Sequence, residues 1–269
     1  MIYYLVTRAH SYTIAMFVQG WGKALAGRVT VGLYDGLLAG GALPPGGVVI
    51  FSDLDRLTLA ERSALAPIHA RLSRALNDPT RSLLRFQMLR AVHERGINRF
   101  NVHRTGEVPA RFPVFLRPDA GFLNDPPKLL HAVASIPAGH IAVEFCDTAD
   151  ADGVYRKYGA YVVGERIVPR HLFFSRDWLV KSPDLLGAEQ LAEERAYVET
   201  NPHADQLLQI CRLARISWGR VDYALLNGKV QVWEINTNPM FSFPGPEAPA
   251  RDPVHRIAAQ GVVDALLSL

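Results

Sequence analysis

Asp222, Glu234 and Asn236 are spaced in a way that can do chemistry. They flank Asn227-Gly228 in the stretch "GRVDYALLNGKVQVWEINTNP", residues 219–239. Asn-Gly between two strand-like runs is the strongest short-range signal for a β-hairpin. Alternation of side chains along a strand puts Glu234 and Asn236 on one face. Where Asp222 falls depends on the turn. A two-residue Asn227-Gly228 loop pairs Asp222 with Trp233 and sends it to the other face. A three-residue loop over 227–229, with Gly228 left-handed, or a bulge nearby, sets Asp222 directly across from Glu234. Two facing carboxylates repel. A hard divalent cation reverses that sign, and carboxylate and amide oxygens suit Mg²⁺, which takes few protein ligands alongside substrate phosphates. The same spacing also fits a solvent-facing edge hairpin whose carboxylates lie near Arg220 or Lys229.

Polar and charged residues at other strand ends favour the metal reading. Arg117 closes the apolar run "FPVFLRP", Glu144 lies near the end of "IAVEFCD", and Arg156 and Lys157 open "YRKYGAYVVG". A triphosphate needs point charges for its non-bridging oxygens and a metal that bridges its phosphates.

The elements that must position these groups are legible in outline. Residues 2–7 read as a buried strand and 11–27 as a helix. Runs at 28–34 and 46–55 read as further strands, and 57–76 as a helix with Thr58 and Glu61 in capping-box register. Strands alternating with helices argue a small parallel α/β unit over about residues 1–80. An amphipathic helix follows, with Leu83, Leu84, Met88, Leu89 and Val92 as its stripe and Gly96 as its stop. The middle is α+β: a strand through Arg117, a short helix between Pro127 and Ile136, a strand through Glu144, and a hairpin about Gly164-Glu165. Two helices precede the Asp222 hairpin. A Pro-rich loop over 244–253 leads to a closing helix.

The chain has 269 residues, a formal net charge of +3 and a pI near 8.9, a mild excess that suits an anionic ligand such as a nucleotide. No Lys/Arg block alternates with aromatics, which argues against nucleic acid. Cys146 and Cys211 have no metal-type spacing, so a reducing compartment is favoured. No apolar run is long enough to span a bilayer and no signal peptide is evident, so a cytoplasmic protein with no membrane partner is expected. His10 and His171 fall where a substrate site or an ordinary polar partner would use them.

Taken in order, "FPVFLRP", "VEFCD", "YRKYGAYVVGERIVPRHL" and "GRVDYALLNGKVQVWEINTNP" resemble the blocks of the ATP-grasp superfamily of ATP-dependent carboxylate ligases, over about residues 75–243. The resemblance implies an α/β (α+β) ATP-grasp fold: a small parallel α/β N-terminal domain (1–80), then an ATP-grasp domain (81–269) of two α+β subdomains that clamp the nucleotide. These are a lid at about 105–165 and a metal-site subdomain at about 166–269. It implies ATP and Mg²⁺, with Asp222, Glu234 and Asn236 as metal ligands and Arg220 at the transferred phosphate or acyl-phosphate. Arg117, with Arg85 from the preceding helix, would contact phosphates, and Lys157 or Lys181 would add a further contact. Glu144 would accept from the adenine amino group, with the backbone of Phe145 and Cys146 completing the purine contact. Asp150 and Asp152 stand near where a ribose-binding acid is sought.

Two features depart from the family's pattern. Arg117 stands where the family usually has Lys, and the phosphate-covering loop "DAGFLNDPP" carries one Gly. The implied chemistry activates a small-molecule or peptide carboxylate as an acyl-phosphate for attack by an amine. A small-molecule kinase and a non-catalytic nucleotide-binding module are the alternatives. The aromatic and cationic stretch "RHLFFSRDWLVK" is assigned, by chain position, to the border of the acceptor pocket.

Overall fold

Ile2, Tyr4, Leu5 and Val6 are buried on both faces of the first strand, the pattern of a strand covered on each side. The computed structural model of the chain describes residues 1–121, 126–241 and 253–269. Strands β1 (Ile2–Val6), β2 (Val29–Leu33), β3 (Val48–Phe51) and β4 (Ala75–Leu76) form a parallel sheet in the order β2-β1-β3-β4. Helices α1 (Tyr12–Gly20), α2 (Tyr34–Leu38) and α3 (Leu59–His69) connect them. The capping box of α3 is present: Glu61 N donates to Thr58 Oγ1 at 3.2 Å, and Thr58 N to Glu61 Oε2 at 2.8 Å.

Two helices are shorter than expected. Helix α1 ends at Gly20 rather than Gly27: Trp21 leaves the helical region at φ −110° and ψ 14°, and the chain runs on as turns to the left-handed pair Ala26-Gly27, at φ 51° and 64°. Helix α3 ends at His69, and Ala75-Leu76 pair with Val49-Ile50 instead.

Helix α4 (Arg85–Glu94) leads into a three-stranded antiparallel sheet of β5 (Val102–Arg104), β6 (Val114–Pro118) and β7 (His140–Glu144), ordered β5-β7-β6. The helix expected between Pro127 and Ile136 is replaced by a bridge, in which Leu130 exchanges backbone hydrogen bonds of 2.7 and 2.9 Å with Val114. The larger antiparallel sheet contains β8 (Tyr155–Val163), β9 (Arg166–Ser175), β10 (Trp218–Leu226) and β11 (Lys229–Asn236), ordered β11-β10-β8-β9. Strand β8, at the end of the stretch expected to form the lid, pairs with β10 and β9 in this larger sheet. Helices α5 (Ala188–Thr200), α6 (Ala204–Ala214) and α7 (Pro253–Leu267) complete the chain. Most of the expected Pro-rich loop, from residue 244, lies outside the described residues. Among the described residues no helix is long and apolar enough to cross a membrane.

The parallel sheet and the larger antiparallel sheet share one core. Its buried side chains run from Tyr4 and Phe17 through Tyr161, Trp218 and Phe241 to Ala258 and Val262 of α7. Tyr4 meets Trp218 edge-on at 5.4 Å, and Phe241 stacks on Tyr161 at 4.8 Å. Two buried asparagines add polar ties. Asn77, left-handed at φ 60°, donates from Nδ2 to the carbonyls of Phe51 (2.9 Å) and Trp218 (3.0 Å). Its Oδ1 accepts from the backbone N–H groups of Ser217 and Trp218. Asn238 Oδ1 accepts from Tyr4 Oη at 2.8 Å and Thr13 Oγ1 at 2.7 Å.

Candidate active site

The β10–β11 turn is the two-residue kind: Leu226 pairs with Lys229, and Asn227 and Gly228 are both left-handed at φ 51° and 74°. This is the hairpin turn whose twist matches the strands. The three-residue loop is therefore not used. The register shifts lower down, between Asp222 and Tyr223: Tyr223 pairs with Val232, and the next pair is Asp222 with Glu234. Trp233 is the extra residue of a β-bulge. Asp222, Trp233, Glu234 and Asn236 consequently all line one cleft, with Arg220 and Ala224 beside them. Trp233 stacks on Phe100 at 4.4 Å and 13°.

Four cations surround the two carboxylates. Arg220 holds Asp222 with Nε–Oδ1 at 2.7 Å and Nη2–Oδ2 at 3.1 Å, and Lys157 Nζ lies 3.1 Å from Oδ2. Glu234 accepts from Arg85 Nη2 at 2.6 Å and from Arg117 Nη2 at 3.1 Å. Burial pushes both acids upward, but the cations outweigh it. Arg220 and Lys157 hold Asp222 well below the usual carboxylate range, and Arg117 and Arg85 bring Glu234 from 4.5 to about 2. Burial pulls Arg220 down, yet Asp222 raises it further than burial lowers it. Arg117 is lowered, chiefly by burial. Asn236 Oδ1 accepts from Asn238 N at 2.8 Å, which leaves the amide oxygen a further acceptor site.

The cleft has a volume of about 390 Å³. Its far wall is apolar and aromatic: Trp178 lies 5.2 Å from Phe115 and 5.7 Å, edge-on, from Phe145. Val143, Cys146 and Val180 complete that wall.

Of the residues singled out from sequence, Arg117, Phe145, Cys146, Lys157, Lys181, Arg220, Asp222, Glu234 and Asn236 line this cleft. Two do not, and their expected roles need correction. Glu144 points to the opposite face of β7. There its Oε2 accepts from Asn101 N (2.9 Å) and Arg111 Nη2 (2.7 Å), and Oε1 lies 3.2 Å from His103 Nε2. Alternation was the available signal, because Val143 and Phe145 face the cleft and Glu144 sits between them. Arg85 is buried behind Glu234 with both its Nη groups on backbone carbonyls and that carboxylate, so it is not presented to a phosphate.

Phe115, Tyr155 and Trp233 were not anticipated as wall residues. The stretch containing Trp178 borders the apolar end of the cleft, through Trp178, Leu179, Val180 and Lys181. Asp150 is engaged with Arg156, which also pairs with Glu193 at 2.8 Å. His171 is buried, lowered well below 6.5 by burial and by Arg220, and its Nε2 has no partner among the described residues. His10 Nδ1 lies 3.0 Å from Asp53 Oδ2 at the end of the parallel sheet. Of the phosphate-loop stretch, residues 122–125 lie outside the described residues.

The donor set fits a hard cation. Two carboxylates and an amide oxygen sit on facing strands, and each carboxylate oxygen retains acceptor capacity beyond its present partners. Four cations against two carboxylates leave excess positive charge for a polyphosphate. The apolar wall suits a purine face.

No family model and no curated protein matches the sequence. Solved structures do match over nearly the whole chain. D-alanine–D-alanine ligase from Bacillus anthracis is 12% identical, with 99% of this chain and 94% of that chain covered and a TM-score of 0.53. D-cycloserine synthetase DcsG is 15% identical, covering 99% and 100%, with a TM-score of 0.56. The ATP-grasp ligase PsnB, solved with a phosphomimetic variant of a minimal precursor, Mg and ADP, is 13% identical, covering 99% and 96%, with a TM-score of 0.54. At such identities the likeness is one of fold. The chain has the ATP-grasp fold, as the hairpin and its companion blocks implied.

Proposed function

We propose that this protein is an ATP- and Mg²⁺-dependent ligase that activates a small-molecule or peptide carboxylate as an acyl-phosphate and joins it to an amine. The observation that carries this reading is the bulged hairpin. It faces Asp222, Glu234 and Asn236 into a cleft that holds Arg117, Lys157 and Arg220. Mg²⁺ on those three oxygen donors would neutralise charge on the β- and γ-phosphates. Arg117, Lys157 and the exposed Lys181 take phosphate oxygens, and the backbone of Phe145 and Cys146 with the Trp178 wall holds the purine. Arg220 meets the transferred phosphoryl group.

The substrate carboxylate oxygen attacks the γ-phosphorus and ADP leaves. The amine nitrogen then attacks the acyl carbon, phosphate leaves, and the nitrogen loses a proton. Neither cysteine takes part; both thiols are buried and raised, Cys211 to about 12, chiefly by burial. Two free cysteines also favour a reducing, cytoplasmic setting. The acceptor approaches from the crevice between β1 and β3, the topological switch point of the parallel sheet. Leu54 N, which donates to Thr237 Oγ1 at 3.1 Å, ties the exit of β3 to the chain just beyond β11.

The test is incubation with ATP, Mg²⁺ and panels of carboxylates and amines, read by ADP release and by mass spectrometry. An amide with stoichiometric ADP and phosphate is the expected result. A stable phosphate ester would mean a kinase, and nucleotide binding without turnover would mean a binding module. Either outcome overturns the ligase reading.

A further inference from the structure

One guanidinium makes four hydrogen bonds that join two parts of the cleft, and the inference drawn from it rests on the metal and nucleotide reading above. Arg85 is the first residue of α4. Its Nη1 donates to the carbonyls of Pro118 (2.8 Å) and Asp119 (3.0 Å), and its Nη2 to the carbonyl of Gly121 (3.0 Å) and to Glu234 Oε1 (2.6 Å). The three carbonyls belong to the backbone that leaves β6 just after Arg117, and Gly121 forms part of the cleft wall.

That backbone is fixed from other sides as well. Asp119 Oδ1 accepts from Phe86 N at 3.0 Å, and Gly121 N donates to Asp55 Oδ2 at 3.0 Å. A Cβ on Gly121, left-handed at φ 83°, would fall 2.5 Å from Arg56 Nη1. The wall therefore has little slack, and Arg85 is its link to a metal ligand.

A cation on Glu234 competes with Arg85 for the same carboxylate charge. Whatever weakens the Arg85–Glu234 bond changes the hold that Arg85 has on residues 118–121, and the reverse holds by linkage. We propose that Arg85 is a positioning residue that couples metal occupancy of Glu234 to the placement of the 118–121 backbone. Loading the metal resets the wall beside the phosphates, and a well-placed wall favours loading. This differs from a phosphate contact, which the buried guanidinium does not offer.

The test is hydrogen exchange at the Asp119 and Gly121 amides, with and without Mg²⁺ and ADP, in the wild type and in Arg85→Lys, alongside Mg²⁺ titration by calorimetry. Lysine keeps the charge and loses the fork. The wild type is expected to change exchange at these amides when Mg²⁺ and ADP bind. In Arg85→Lys they exchange roughly tenfold faster without ligand and no longer respond to it, while the Mg²⁺ midpoint moves. A response and a midpoint equal to those of the wild type overturn the proposal. So does faster exchange spread evenly along α4 with an unmoved midpoint, the mark of a merely structural role.

Should Arg85→Lys not fold, Glu234→Gln imitates charge neutralisation by a cation. It is expected to alter exchange at Asp119 and Gly121 in metal-free protein as Mg²⁺ does in the wild type, and no change overturns the proposal. A wild type that binds no Mg²⁺ and ADP overturns the site reading and this inference together. A wild type that binds and responds, with an equally responsive variant, overturns this inference alone.

Discussion

Asp222 and Glu234 face each other across β10 and β11, and each is held by two cations of its own. Like charges directly opposite normally weaken a sheet. Here Arg220 and Lys157 on one side, and Arg85 and Arg117 on the other, offset that penalty without any metal.

That arrangement fixes the sign of one substitution. Asp222→Asn is expected to destabilise the metal-free protein, because it leaves Arg220 and Lys157 together without their counter-charge. The loss should be on the order of 2 kcal/mol, below the ~3–5 kcal/mol of a fully buried pair since both cations keep some water access. Urea denaturation measures it. The same experiment with added Mg²⁺ should stabilise the wild type and not the variant. A gain in stability from Asp222→Asn would show that repulsion from Glu234 dominates instead.

Trp178 gives a prediction about the purine. A base stacked on an aromatic side chain is worth about 1–3 kcal/mol, so Trp178→Ala should weaken ATP binding roughly tenfold. Calorimetry with a non-hydrolysable analogue reads this directly. Unchanged affinity would place the purine away from the Phe115–Phe145–Trp178 wall.

Glu144 predicts an effect on stability without one on nucleotide affinity. Burial raises its carboxyl, but the Asn101 N–H, Arg111 and His103 hold it below its ordinary 4.5. A depressed carboxyl contributes stability that is fully present above the ordinary value and is lost as pH falls through the folded-state value. Glu144→Gln should therefore cost about 1–3 kcal/mol near neutral pH, with the gap to wild type closing as pH falls below the ordinary carboxyl value and through the lower folded-state one. ATP affinity should not move, since the side chain lies off the cleft. A tenfold loss of ATP binding in this variant would restore Glu144 to the purine site.

The hairpin shows both what the sequence discloses and where it stops. Asn227-Gly228 named the turn, and alternation put Glu234 and Asn236 together. The sequence left a three-residue loop and a bulge open as alternatives; the structure takes the bulge, at Trp233, whose ring stacks on Phe100. Arg117 was identifiable from its place at a strand end. Arg85 was legible as a nearby cation but not as a buried one, since its three carbonyl acceptors lie more than thirty residues away. The stretch holding Trp178 had only chain position as a signal. Its place in the cleft follows from the packing of the segment after β9 against Phe115 and Phe145. The helix expected to continue to Gly27 stops at Gly20, where Trp21 leaves helical geometry.

Asn77 and Asn238 bear on how such a chain could be re-engineered. Cutting near residue 80 to make a chimera would separate Asn77 from Ser217 and Trp218, and Tyr4 and Thr13 from Asn238. It would also uncover the aromatic seam between Tyr4 and Trp218. A transplanted first unit would need to bring matching residues at 217, 218 and 238 with it. Swapping that unit is thus a two-segment graft, with the donor's β10 entry and β11 exit travelling alongside its parallel sheet.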